Sequence, residues 1–121
     1  MSTYPDGFEF RVPWHTTDKP LHEELLREVS KEHQLYGVDA KAVAHRQDCD
    51  DVLFELSGNS APAAFAVVHL TWSGKPDLTP NFPETHLYST FSDWIDRCMT
   101  PDAQDWELSE PGAVWTPPDL N

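Results

Sequence analysis

The sequence predicts an α+β fold: a three- to four-stranded antiparallel sheet, arranged as a meander, with an N-terminal helix and a second short helix. The longest apolar run, AAFAVVHLTW at residues 63–72, has turn residues on both sides. Two alternating segments precede it with short connections, which antiparallel strands permit and parallel strands do not. Segments with apolar residues at helical spacing lie before and after these strands.

The run at 63–72 is predicted to be the central strand because it is rich in β-branched and aromatic residues. A helix of the same length is the alternative, since short apolar runs are ambiguous. Side chains alternate between the two faces of a strand. One face would carry Phe65, Val67, His69 and Thr71, and the other Ala66, Val68, Leu70 and Trp72. Both sets are largely apolar, so we expect both faces to be covered.

The other strands are predicted from shorter alternating segments. Two lie near residues 41–47 and 51–57, and the polar residues 48–51 form the turn between them. The segment FEFRV at 8–12 predicts a short half-buried strand or extended arm within residues 1–16. Residues 85–88 are a candidate for a further short strand.

Two helices are predicted. The first spans roughly His22–Leu35 and ends at Gly37. Its exposed face would carry Glu24, Arg27, Glu28 and Lys31. The second spans Phe91–Met99 and is closed by Pro101. Residues 101–121 are predicted to be an acidic tail with prolines and tryptophans, docked on a single domain of 1–121. The predicted core includes Leu25, Val29, Phe54, Val68, Leu70 and Trp94.

Charge is the strongest compositional feature. The chain has 121 residues, with 21 Asp and Glu against 8 Lys and Arg, which gives a net charge of −13. Phosphates would be repelled, so nucleic-acid and anionic-membrane binding are disfavoured. A basic protein partner is permitted, although such a charge also serves solubility alone. No apolar run of about 18 residues and no signal-peptide pattern occur, so no membrane span and a cytoplasmic location are predicted.

Few residues form a pattern with known chemistry. His45 and His69 could approach across neighbouring strands with Glu55 between them, as a metal or acid–base site, although a strand histidine more often only hydrogen-bonds or faces water. Two cysteines are too few for a disulfide framework or a zinc site. Carboxylates around Cys49 disfavour its thiolate. No catalytic residue, cofactor or metal is therefore predicted.

One string resembles a known pattern: VHLTWSGKP at 68–76, followed by Asn81-Phe82-Pro83, Tyr88, Phe91, Trp94-Ile95 and Met99. It is similar to a family of small uncharacterised bacterial proteins with an HLTWSGK-type strand end, a proline-rich loop and a short Trp-bearing helix. The resemblance covers about residues 50–105. It implies a strand–loop–helix order, with Trp72 and Trp94 as packing residues, and it implies no catalytic residue.

Two hypotheses about function follow. The first is a small, acidic, non-enzymatic binding protein for a basic protein partner, with an inhibitor or immunity-like role as its sharpest version. Its tentative partner surface is Asp93, Asp96, Asp102 and Asp105. The alternative is a small enzyme or ligand-binding domain with a pocket around His45, His69 and Trp72. A deep pocket would favour the alternative, and a flat acidic face would favour the binding protein.

Overall fold

A computed structural model describes residues 7–76 and 82–109. The strands are β1 (Trp14–Thr16), β2 (Asp39–Arg46), β3 (Asp51–Ser57), β4 (Phe65–His69) and β5 (Thr85–Tyr88). Helix α1 (His22–Glu28) lies between β1 and β2. After β5 the chain forms α2 (Phe91–Trp94), a π-helical turn (Ile95–Met99) and α3 (Thr100–Ser109).

The sheet has five strands in the order β1-β2-β3-β4-β5, and all neighbours are antiparallel. The predicted α+β class and antiparallel meander are confirmed, but the predicted number of strands, three to four, was too low. Of the two alternatives predicted for residues 8–12, a strand or an extended arm, the strand does not form, and the first strand is Trp14–Thr16. Phe8 and Phe10 instead pack their rings edge-on against Phe91, at centroid distances of 4.9 and 6.2 Å.

The predicted central strand is an inner strand with both faces covered. Ala66 and Val68 of β4 lie in one core cluster, and Phe65 and Val67 lie in another on the opposite face. The strand ends at His69, earlier than predicted, because Trp72 adopts the left-handed conformation with φ 60°. Extended backbone cannot continue through such a residue.

Two core clusters cover the two faces of the sheet. The first contains aliphatic residues of α1 and of the sheet, and the second is rich in aromatic residues from β1, β5 and α2. All six residues predicted to be core are buried: Leu25, Val29, Phe54, Val68, Leu70 and Trp94. The apolar pattern therefore located the core correctly.

Helix α1 ends at Glu28, seven residues before the predicted end at Leu35. Val29 is extended, with φ −80° and ψ 128°. The buried His33 then organises the connection, since its Nδ1 accepts the N–H of Leu35 at 3.0 Å and its Nε2 lies 2.9 Å from the carbonyl of Pro83. The side chain of His33 thus supplies hydrogen bonds that a longer helix would have made along its backbone.

The second helical segment passes through Pro101, where a stop was predicted. The preceding turn is π-helical, and the N–H of Thr100 bonds to the carbonyl of Ile95. Pro101 then lies in the first turn of α3, where its missing N–H is tolerated. Of the predicted tail, residues 101–109 are helical, and residues 110–121 lie outside the described part. No helix in the described ranges has the length and apolar character needed to cross a bilayer.

Candidate functional site

Two of the four predicted surface carboxylates make internal contacts. Asp93 accepts the backbone N–H of Ser89 at 3.1 Å and pairs with Arg97 at 2.9 Å. Asp102 accepts the indole N–H of the buried Trp14 at 2.9 Å and lies 3.5 Å from a guanidinium nitrogen of Arg46. Asp93 thus organises the start of α2, and Asp102 fastens α3 to β1 and β2.

The other two carboxylates, Asp96 and Asp105, are exposed. Among the described residues, no ion pair within 4.0 Å involves either side chain. The predicted surface therefore consists of two carboxylates used by the fold and two that face solvent.

The predicted approach of His45 and His69 does not occur, because the two side chains belong to opposite faces of the sheet. His45 is opposite Val52, whereas His69 is opposite Asp51, the neighbouring residue of β3. The cause is an irregularity in β2 between Ala42 and Ala44, which adds one residue to that strand. A one-residue shift moves every later side chain to the other face. Without it, His45, Asp51 and His69 would lie in one row.

His69 pairs with Asp51, and its Nδ1 lies 2.8 Å from a carboxylate oxygen. This hydrogen bond raises the pKa of His69 above its ordinary value of 6.5. Among the described residues, no three or more His, Cys, Asp or Glu side chains converge as a metal site would require.

Two buried glutamates of α1 hold the loop that follows β4. We call residues 71–75 the Trp72 loop. The Glu28 carboxylate accepts the N–H of Thr71 at 2.9 Å and that of Trp72 at 2.7 Å. Glu24 accepts the N–H of Gly74 at 3.0 Å. The backbone of the loop is therefore fixed by three hydrogen bonds to carboxyl groups, a strong class of hydrogen bond when the acceptor is charged.

The two glutamates also interact with each other, and their pKa values move apart. Burial and a hydrogen bond to Glu24 raise the pKa of Glu28. The same hydrogen bond, helped by the N–H of Gly74 and by Arg27, lowers the pKa of Glu24. When the pair binds a single proton, the directions of these two shifts assign it to Glu28.

The sequence prediction had put Glu24 and Glu28 on the exposed face of the first helix, and this was wrong. Their relative exposures are 5% and 1%. One signal was present in the sequence. Two like charges four residues apart on a helix are unfavourable unless something outside the helix compensates them, and here the N–H groups of the Trp72 loop do so.

Trp72 was predicted to be a packing residue and is instead 52% exposed, with the left-handed φ of 60° that is rare for a bulky residue. Two cavities flank it, of about 220 Å³ and about 250 Å³. Lys19, Leu21 and Trp72 line both of them. Of the predicted pocket residues, His45 lines the first cavity with Trp72, and His69 lines neither cavity.

Neither cysteine has the environment of a nucleophile. Burial and the nearby Asp51 and Asp48 raise the pKa of the Cys49 thiol. Burial and the neighbouring Asp102 raise that of Cys98 to about 12. A nucleophilic cysteine needs a lowered pKa, so both thiols remain protonated near neutral pH.

Comparison with known proteins gives no relative from which a role could be transferred: no family model matches the chain, and neither a curated protein nor a solved structure does. The function of the protein must therefore be inferred from the geometry and charge of the molecule itself.

Proposed function

We propose that the protein is a small, acidic, non-enzymatic binding protein whose partner is a basic protein, in an inhibitor or immunity-like role. The observation that carries the proposal is the net charge of −13. This value already includes the eight Lys and Arg, and the four arginines among them form ion pairs with carboxylates of the same chain. The electrostatic field of a protein with this negative charge attracts and orients a positively charged protein.

The alternative, a small enzyme or ligand-binding domain around His45, His69 and Trp72, is less well supported. The three residues do not share one pocket, and the cavities beside Trp72 are smaller than the roughly 300–1,000 Å³ of typical small-molecule sites. Both thiols have raised pKa values. These observations favour a surface that binds a protein over a site that transforms a substrate.

The proposal is tested by capturing the partner from the source cell and measuring its association rate. If charge steers the encounter, the rate falls by about tenfold or more between about 0.01 M and about 0.15 M salt, because the screening length shrinks from about 30 to about 8 Å. A captured partner that is not basic, or an association rate that does not change with salt, would contradict the proposal.

The two exposed carboxylates of the predicted surface are compared with two exposed carboxylates elsewhere in the same assay. Reversal of the exposed Asp96 and Asp105 to lysine should slow association more than it speeds dissociation. Reversal of the exposed Glu9 and Glu32 changes the net charge equally and is the matched control. A larger effect of reversing Asp96 and Asp105 would locate the partner surface on the helical segment that carries them. Equal effects would mean that only the net charge of the whole protein steers association.

A further inference from the structure

We propose that Trp72 and the acidic cavity beside it form the recognition site for one arginine side chain of the partner. This inference rests on the proposed function and names the chemistry that the partner must present. By acidic cavity we mean the cavity of about 220 Å³ lined by Lys19, Leu21, His45, Cys49, Asp50, Asp51, Val52 and Trp72.

The loop presents Trp72 in a fixed position before any partner arrives. Glu28 holds the N–H of Thr71 and of Trp72, and Glu24 holds that of Gly74. The side chain is half exposed, and its backbone is kept in a left-handed conformation that is unfavourable for a bulky residue. A preorganised aromatic side chain loses little conformational entropy on binding, and tryptophan is among the residues enriched at binding hot spots.

The size and chemistry of the acidic cavity match one long cationic side chain. Leu21, Val52 and Trp72 supply apolar surface for an aliphatic stem, and Asp50 supplies a carboxylate. Asp50 is exposed, whereas Asp51 already pairs with His69. A volume of about 220 Å³ is below the roughly 300–1,000 Å³ of small-molecule pockets, so it suits a single side chain better than a metabolite.

Arginine fits this site better than lysine. Its planar guanidinium stacks on aromatic rings and binds carboxylates in a bidentate manner, which a compact ammonium group cannot do. The second cavity, of about 250 Å³, also has two carboxyl groups, those of Glu23 and Glu24, but it is a poorer site because two cations, Lys19 and Arg27, line it as well. The guanidinium is therefore expected between Trp72 and Asp50, with Lys19 as the one opposing charge of the acidic cavity.

The test uses hexa-arginine and hexa-lysine peptides as probes of the full-length protein, followed by NMR. We expect hexa-arginine to shift the indole N–H signal of Trp72 and the amide signal of Val52, with binding several-fold tighter than for hexa-lysine. Trp72→Ala and Asp50→Asn should each weaken binding of hexa-arginine by about tenfold, whereas Trp72→Phe retains most of it. Lys19→Ala should tighten binding a few-fold, because it removes the opposing charge.

The matched control is Glu32→Gln, which removes the same charge as Asp50→Asn from an exposed position outside the proposed partner surface. Equal losses in the two variants, or equal affinity for both peptides, would overturn the arginine site. Should Trp72→Ala fail to fold, Trp72→Phe and Asp50→Asn carry the test.

Failure of this inference is distinguishable from failure of the proposed function. Peptide shifts confined to α3, with wild-type affinity in Trp72→Ala, would overturn the arginine site and leave a basic partner supported. If neither peptide binds at low salt, both are contradicted.

Discussion

Glu28 connects two segments that are more than forty residues apart, since its carboxyl group accepts the N–H groups of Thr71 and Trp72. Replacement by alanine leaves both donors without this acceptor in a partly buried place. We expect Glu28→Ala to lower the free energy of unfolding by about 1–3 kcal/mol, measured by urea denaturation. Glu23→Ala, at an exposed position of the same helix, removes the same side chain and should change stability by no more than about 0.5 kcal/mol.

The Glu28 proton also predicts a pH dependence. The pKa of Glu28 is raised in the folded state above its ordinary value of 4.5. The folded state then binds this proton more tightly than the unfolded chain does, so the stabilisation is fully present below pH 4.5 and is lost as pH rises through the folded pKa. Glu28→Gln cannot titrate. The stability of the wild type relative to Glu28→Gln should therefore fall as pH rises above 4.5, and a difference that grows with pH would contradict the proton assignment.

Strand β4 is the element on which both cores meet, and Val68 lies fully buried in the aliphatic one. Val68→Ala removes two methyl groups from a packed environment and should destabilise the fold by roughly 1–3 kcal/mol in thermal or urea unfolding. Val12→Ala is the same chemical change at a residue that is 44% exposed, and it should be close to neutral. Equal effects of the two substitutions on stability would contradict the placement of β4 in the core.

Helix α3 is attached to the sheet through Asp102, which accepts the indole N–H of Trp14 and approaches Arg46. Asp102→Ala leaves that buried indole N–H unsatisfied and should cost about 1–3 kcal/mol. Asp105→Ala is one turn further along the same helix, at an exposed position, and is the charge-matched control. If both variants unfold at the wild-type denaturant concentration, Asp102 does not fasten the helix.

At the level of elements, the features that the sequence predicted correctly are those that produce a local periodicity. Strands β2 and β3 lie at 39–46 and 51–57, close to their predicted bounds, because alternation with a period of two is a local signal. The early end of α1 and the left-handed Trp72 depend on the Glu28–Trp72 and His33–Pro83 contacts. These contacts join residues that are 44 and 50 positions apart in the sequence, so a local pattern cannot predict them.

The candidate site was predicted only in part, because it also depends on features that a local pattern does not show. His45 and Trp72 do line one cavity. His69 does not, because the irregularity between Ala42 and Ala44 changes the face on which His45 lies. A single extra residue in a strand is not visible from alternation alone, since both the regular and the shifted strand show apolar residues in this region.

Over the whole molecule, the excess of carboxylates opposes compaction through mutual repulsion. At pH 7 we expect the melting temperature to rise as sodium chloride increases from about 0.01 M to about 0.15 M, because screening weakens this repulsion. Near pH 4.5, where the sequence has no net charge, the same addition should have little effect. A salt response that is equal at both pH values would mean that repulsion does not limit stability.

The sheet ends in two very short strands, and this limits how the protein can associate. The outer strands are β1, with three residues, and β5, with four. A long flat edge would invite another chain to add a strand, which leads to amyloid-like stacking or to recognition by main-chain hydrogen bonds. Edges of this length offer only a few such bonds. Edges this short disfavour edge-to-edge aggregation, and a protein that bound this molecule would have to recognise its side chains instead of extending its sheet.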